Sequence, residues 1–117
     1  MNTLYSPIIQ WNINGYLSHL ERLQLLIHDE NPSIIALQET HFRDDKLLCP
    51  KKFKGFYRNR TNRDRASGGV AIFTKEELKA VNVPLTTNLE AVAASIPLPQ
   101  PLTICNIYIP PDREFNK

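Results

Sequence analysis

The 117-residue sequence predicts an α/β fold, a mixed sheet of about six strands with at least one packed helix. Three observations carry this. Strand, helix and strand patterns succeed one another before Glu39, as in a βαβ unit. Residues 34–38, Ile-Ile-Ala-Leu-Gln, form a near-continuous apolar run of the kind buried on both faces of a sheet. Short strand-like segments punctuated by glycine and proline fill the remainder. With 42% apolar and 22% charged residues, the composition excludes a disordered tail or a fibre. One domain is the ceiling, and part of one is compatible with the length.

Residues 8–13, Ile-Ile-Gln-Trp-Asn-Ile, read as the first strand, and Asn14-Gly15 as a turn. Ser18 and Glu21 have capping-box spacing, and Leu17, Leu20, Leu23 or Gln24, and Ile27 return to one face at helical period. Asn31-Pro32 ends that helix, because the residue before proline disfavours helical backbone. After the apolar strand 34–38, a polar loop passes through Arg43-Asp44-Asp45. Strands are expected at Gly55–Arg60, Val70–Thr74, Leu89–Ile96 and Leu102–Ile109, with a helical turn over 75–79. Gly68-Gly69 closes a charged loop tip, and Pro97, Pro99 and Pro101 make a stiff turn.

The net charge of +2 conceals an uneven distribution. Residues 1–50 carry −3 and residues 66–117 carry −1, whereas residues 51–65 carry +6. Lys51, Lys52, Lys54, Arg58, Arg60, Arg63 and Arg65 lie in that segment, interleaved with Phe53, Phe56 and Tyr57. Such a segment is either a solvated loop flanking one strand or a surface that meets several phosphates. No apolar stretch is long enough to span a membrane. No secretory signal is visible, and Cys49 and Cys105 form no ligand pair, which reads as reduced thiols in an intracellular protein.

Two polar residues occupy unusual places. Asn12 lies inside an apolar strand and Glu39 ends the most apolar one. In a βαβ unit both strands run the same way, so the two residues reach the same sheet edge, where ligands gather in open α/β sheets. A carboxylate and an amide oxygen there suit Mg²⁺, which takes one or two carboxylates and keeps waters for substrate phosphate. The competing reading is a solvent-facing Glu beside an Asn bonded to a loop.

Four motifs in order, Gln10-Trp11-Asn12, Leu37-Gln38-Glu39-Thr40-His41, Gly68-Gly69-Val70-Ala71-Ile72 and Asn106-Ile107-Tyr108-Ile109-Pro110-Pro111, resemble the endonuclease/exonuclease/phosphatase superfamily. Within it the sequence is most similar to the apurinic-type endonuclease domain of non-LTR (LINE or jockey-like) retrotransposon polyproteins. The resemblance spans Ile8 to Pro111. It implies a four-layer α/β/β/α sandwich of which residues 1–117 supply the N-terminal half, counted here as one sheet. It also implies Mg²⁺ (or Mn²⁺) held by Glu39 and Asn12, with Tyr108, Glu39 and Asn12 as catalytic residues. The segment holding Lys51 to Arg65 would lie beside a DNA backbone. Glu90 falls in the strand where relatives often carry an acidic residue and is not itself read as catalytic, and His41 reads as a loop or supporting residue rather than the catalytic base.

The sequence contains neither the Gly-Asp-Phe-Asn nor the Ser-Asp-His motif of the superfamily. The expectation is therefore a fragment of a metal-dependent DNA endonuclease, inactive alone, whose full polyprotein includes a reverse transcriptase. The nick would prime that transcriptase, in the nucleus for an active element. An uncovered sheet face would favour self-association. The alternatives are a non-catalytic nucleic-acid-binding remnant, or a phosphodiesterase of the same fold acting on a lipid or inositol phosphate.

Overall fold

Apolar strands in the middle of a sheet need cover on both faces, and this requirement organises the chain. The computed structural model describes residues 7–60 and 68–109. In chain order these hold β1 (Ile8–Asn12), α1 (Leu20–Glu30), β2 (Ile34–Gln38), β3 (Phe53–Arg58), β4 (Val70–Lys75), a 3₁₀ turn (Glu76–Leu78), β5 (Val81–Asn82), β6 (Glu90–Ile96) and β7 (Leu102–Tyr108).

The predicted α/β class and each predicted strand are present, but the strands divide between two sheets. One has the order β1-β2-β4-β3, the other β5-β6-β7. β1 and β2 are parallel, as the βαβ reading requires, and the remaining pairings are antiparallel. All five residues of β2 are buried. On one face Ile35 and Leu37 join Ala71 and Phe73 of β4 and pack on Leu23 of the helix. On the other, Ile34, Val70 and Ile72 pack with Phe56 against Val92, Ala94 and Ile96 of β6. Each of the larger of these side chains contributes roughly 1.5–3 kcal/mol by leaving water. A single six-stranded sheet would leave the second of these faces bare. The second sheet covers most of it instead, leaving Ile8 of the edge strand 55% exposed on that side, so much of the face expected to drive self-association is already occupied. Among the described residues the layers are helix, sheet, sheet.

The helix begins later than the capping-box spacing predicts. His19 occupies the N-cap position and no side chain caps the helix. The backbone N–H of His19 bonds to the carbonyls of Gly15 and Tyr16, so Ser18 lies in a tight turn that precedes the helix rather than at its N-cap. Leu17 consequently lies outside the apolar stripe and is exposed, while Leu20, Leu23 and Ile27 face the core. The end is as predicted: Asn31 adopts the left-handed conformation and its N–H bonds to the Ile27 carbonyl.

Candidate active site at the strand ends

The parallel pairing places Asn12 beside Gln38, and the chain then turns sharply at Glu39. Glu39 and His41 both have positive φ, +55° and +62°, backbone that ordinary side chains adopt at a cost and that surrounding bonds must hold. Those bonds are present. The Glu39 carbonyl accepts from Gly15 N–H, Thr40 N–H donates to the Gly69 carbonyl, and His41 N–H donates to the Gly68 carbonyl. The turn aims the Glu39 side chain across the sheet edge. There its Oε2 accepts hydrogen bonds from the Tyr108 hydroxyl and, at a long 3.5 Å, from Asn12 Nδ2. Three residues from β1, the end of β2 and β7 thus meet on one carboxylate oxygen.

The bond to Glu39 is the largest influence on Tyr108. Together with burial and the neighbouring carboxylate charge it pushes the phenol up from 10.0 to about 12. The hydroxyl therefore remains a donor across the ordinary pH range.

Behind this edge lies a chain of amides that sequence inspection did not single out. Gln10 Nε2 donates to Gln38 Oε1 (2.6 Å), and Gln38 Nε2 donates to Asn106 Oδ1 (2.6 Å). Asn106 Nδ2 donates to the Leu37 and Ala71 carbonyls, each at 2.9 Å. Gln38 and Asn106 are both buried. Their signal was a polar residue inside an apolar strand run, the same signal that marked Asn12. Buried amides so paired fix the register between the sheets.

Among the described residues the basic segment does not form one patch. β3 carries it from one end of the sheet to the other, roughly 17–20 Å for a strand of this length. Lys51 and Lys52 sit at the far end, near the strand terminus where Phe53 pairs with Lys75, and Lys54 pairs with Thr74. Lys54 donates to the Ala80 carbonyl (3.0 Å). Arg58 and Arg60 reach the edge that carries Glu39, since Arg58 and Gln38 both pair with Val70. Arg58 donates to the Thr87 carbonyl (3.2 Å), and Arg60 forms an ion pair with Glu90 (2.6 Å). Arg63 and Arg65 lie outside the described residues. His41 lines a separate cavity of about 350 Å³ with Tyr16, Phe42, Arg43 and Lys46.

Among the described residues no group of three or more His, Cys, Asp or Glu is placed to hold a metal ion. The donor set at the edge is the Glu39 carboxylate with an adjacent amide, since Glu90 at the same edge is already bound by Gly69 N–H and Arg60. That is compatible with Mg²⁺, which needs few protein ligands, and is too sparse for a dedicated all-protein cage.

Residues 9–114 match the Endonuclease/Exonuclease/phosphatase family. The chain belongs to that family. Solved structures share the family fold. A 3′ phosphatase, NExo, from Neisseria, solved bound to a product DNA hairpin, is 22% identical with a TM-score of 0.63, the match covering 86% of this chain and 40% of that one. The AP endonuclease LMAP from Leishmania major is 17% identical with a TM-score of 0.68, covering 88% and 40%. The catalytic domain of human Nocturnin, with bound sulfate, is 21% identical with a TM-score of 0.58, covering 88% and 49%. The family chain described here spans between two fifths and half the length of these structures.

Proposed function

We propose that this chain supplies the Glu39 side of the active site of a divalent-metal-dependent DNA endonuclease, of the kind that nicks target DNA for a non-LTR retrotransposon reverse transcriptase. The observation that carries the reading is the convergence of Asn12 and Tyr108 on one Glu39 oxygen at the strand ends. Family membership and a solved relative with a DNA product support the substrate class, and the four sequence motifs support the retrotransposon branch.

In this reading Glu39 holds Mg²⁺ or Mn²⁺ with the help of the Asn12 amide. A bound ion there would stabilise charge developing on a phosphate oxygen. Asn12 and Tyr108 orient the phosphate, Tyr108 as a hydroxyl donor that keeps its proton. Arg60, paired with Glu90, offers further N–H donors at the same edge. His19, at the N-cap, and His28 belong to the helix and His41 lines a separate cavity, so in this reading a positioned base comes from elsewhere, and its lack typically costs about 10²–10⁴ in rate. The share of each solved relative lying beyond the match supports the view that the remainder of the fold provides it.

The test has two arms. Mn²⁺ binding to the 117-residue chain, followed by electron paramagnetic resonance, is weak and is lost in Glu39→Gln. Supercoiled plasmid with Mg²⁺ shows little or no nicking. Mn²⁺ binding that survives Glu39→Gln refutes the metal assignment. Vigorous nicking abolished by Glu39→Ala shows a complete site within the chain. DNA binding that needs no metal and weakens with salt, without any Glu39-dependent ion, favours the binding-remnant alternative.

A further inference from the structure

Glu90 pairs with Tyr108 in the β6–β7 register, so it stands at the same edge as the Glu39 cluster. Its two oxygens are fully engaged. Oε1 accepts from Gly69 N–H (2.8 Å), and Oε2 accepts from Arg60 Nε (2.7 Å) and a terminal guanidinium nitrogen (2.6 Å). Gly69 in turn holds Thr40, the residue after Glu39, through its carbonyl. The Arg60 guanidinium lies flat against Gly68: a Cβ on that glycine would come within 2.4 Å of Arg60 Cζ. Glu90, 13% exposed, thus grips a guanidinium that is itself 31% exposed. Two nitrogens of the fork face Glu90, and the remaining donors are not consumed by it.

We propose that Glu90 is a positioning residue, which holds Arg60 so that its remaining N–H groups meet a DNA phosphate at the edge formed by Glu39 and Tyr108. This rests on the proposed DNA substrate and adds to it a residue without any contact to that substrate. A guanidinium anchored on one side loses little freedom when it binds a phosphate on the other. A loose arginine beside a carboxylate has no such advantage.

The sign of one effect separates this from simple electrostatics. Replacing Glu90 by glutamine removes a negative charge, so charge balance alone predicts tighter binding to DNA. Positioning predicts weaker binding. The experiment measures fluorescence anisotropy of a labelled 20-base-pair duplex with the full 117-residue chain in EDTA, at several salt concentrations, with a thermal melt of each variant. Glu90→Gln is expected to weaken binding about 3- to 10-fold. Arg60→Ala is expected to weaken it at least as much and to flatten the log–log salt slope by about 0.9, the share of one phosphate contact. In the Arg60→Ala background, Glu90→Gln weakens binding no further. Arg60→Lys keeps the charge but loses the fork, and is expected to bind several-fold less tightly with an unchanged melt. Equal or tighter binding by Glu90→Gln overturns the inference while leaving the DNA substrate intact. If Glu90→Gln does not fold, Arg60→Lys decides, and wild-type affinity in that variant overturns it. No duplex binding by the wild-type chain overturns both this inference and the substrate it rests on.

Discussion

Gln38 donates a 2.6 Å hydrogen bond to Asn106, a residue 68 positions later and in the opposite sheet. The pair joins the layer that carries Asn12 and Glu39 to the layer that carries Tyr108. Removing Asn106 strands the Gln38 amide and withdraws a donor from two buried carbonyls. Asn106→Leu is therefore expected to lower stability by about 2–3 kcal/mol, the usual cost of buried polar groups left without partners. A urea denaturation midpoint equal to that of the wild type contradicts the bridging role.

Tyr108 offers a pH test. Its folded pKa, about 12, is raised above the ordinary 10.0 by the bond to Glu39 first of all. A group raised in this way contributes stability that is fully present below pH 10 and is lost as the pH climbs towards 12. In metal-free protein the Tyr108 ring-carbon resonance is expected to titrate near 12, and to move towards 10 in Glu39→Gln. A titration near 10 in the wild type places the phenol away from the carboxylate.

The two thiols should differ in reactivity. Cys105 is exposed, whereas Cys49 is half-buried and donates to the Phe53 carbonyl. Burial is the main cause that pushes the Cys49 thiol up to about 11. At pH 8 its thiolate is then on the order of one part in a thousand. Ellman's reagent is expected to modify one thiol promptly and the second only after denaturation. Two equally fast phases would show that the segment around Cys49 is open.

Gly69 has a φ of +92°, and a Cβ there would approach the Thr40 hydroxyl oxygen to 2.9 Å. Gly69→Ala combines backbone strain with a collision in the loop that carries Glu39. The expected cost is about 1–3 kcal/mol, seen as a lower melting temperature together with weaker Glu39-dependent Mn²⁺ binding. An unchanged melt shows that the corner relaxes freely.

Much of this was legible in the residues themselves. The apolar run 34–38 announced a doubly buried strand, and the βαβ order put Asn12 and Glu39 at one edge, because parallel strands end together. The division into two sheets was not legible. Alternation in 90–96 reports a strand but not which sheet it joins, and only the need to cover Ile34, Val70 and Ile72 decides that. The Ser18 capping box failed because the turn over 15–19 closes through the His19 N–H and starts the helix one residue later, with His19 at the N-cap position. The run of cations from Lys51 onwards suggested one patch, yet a strand separates residues that are close in sequence. Gln38 and Asn106 each stood out as a polar residue in an apolar run, but their pairing went unread because a bond across the sheets leaves no local spacing.

The site draws on Asn12, Glu39 and Tyr108, and the bond that completes it spans 69 positions. Contacts so distant in sequence close late, after nearer ones have offset part of the entropy of ordering the chain. The helix and β1 to β4 can associate through shorter loops, whereas Tyr108 arrives only when the β6–β7 hairpin docks. The acidic edge is therefore complete only once that hairpin has docked. A newly made chain with its first sheet already paired would carry Glu39 without its phenolic partner until that last step.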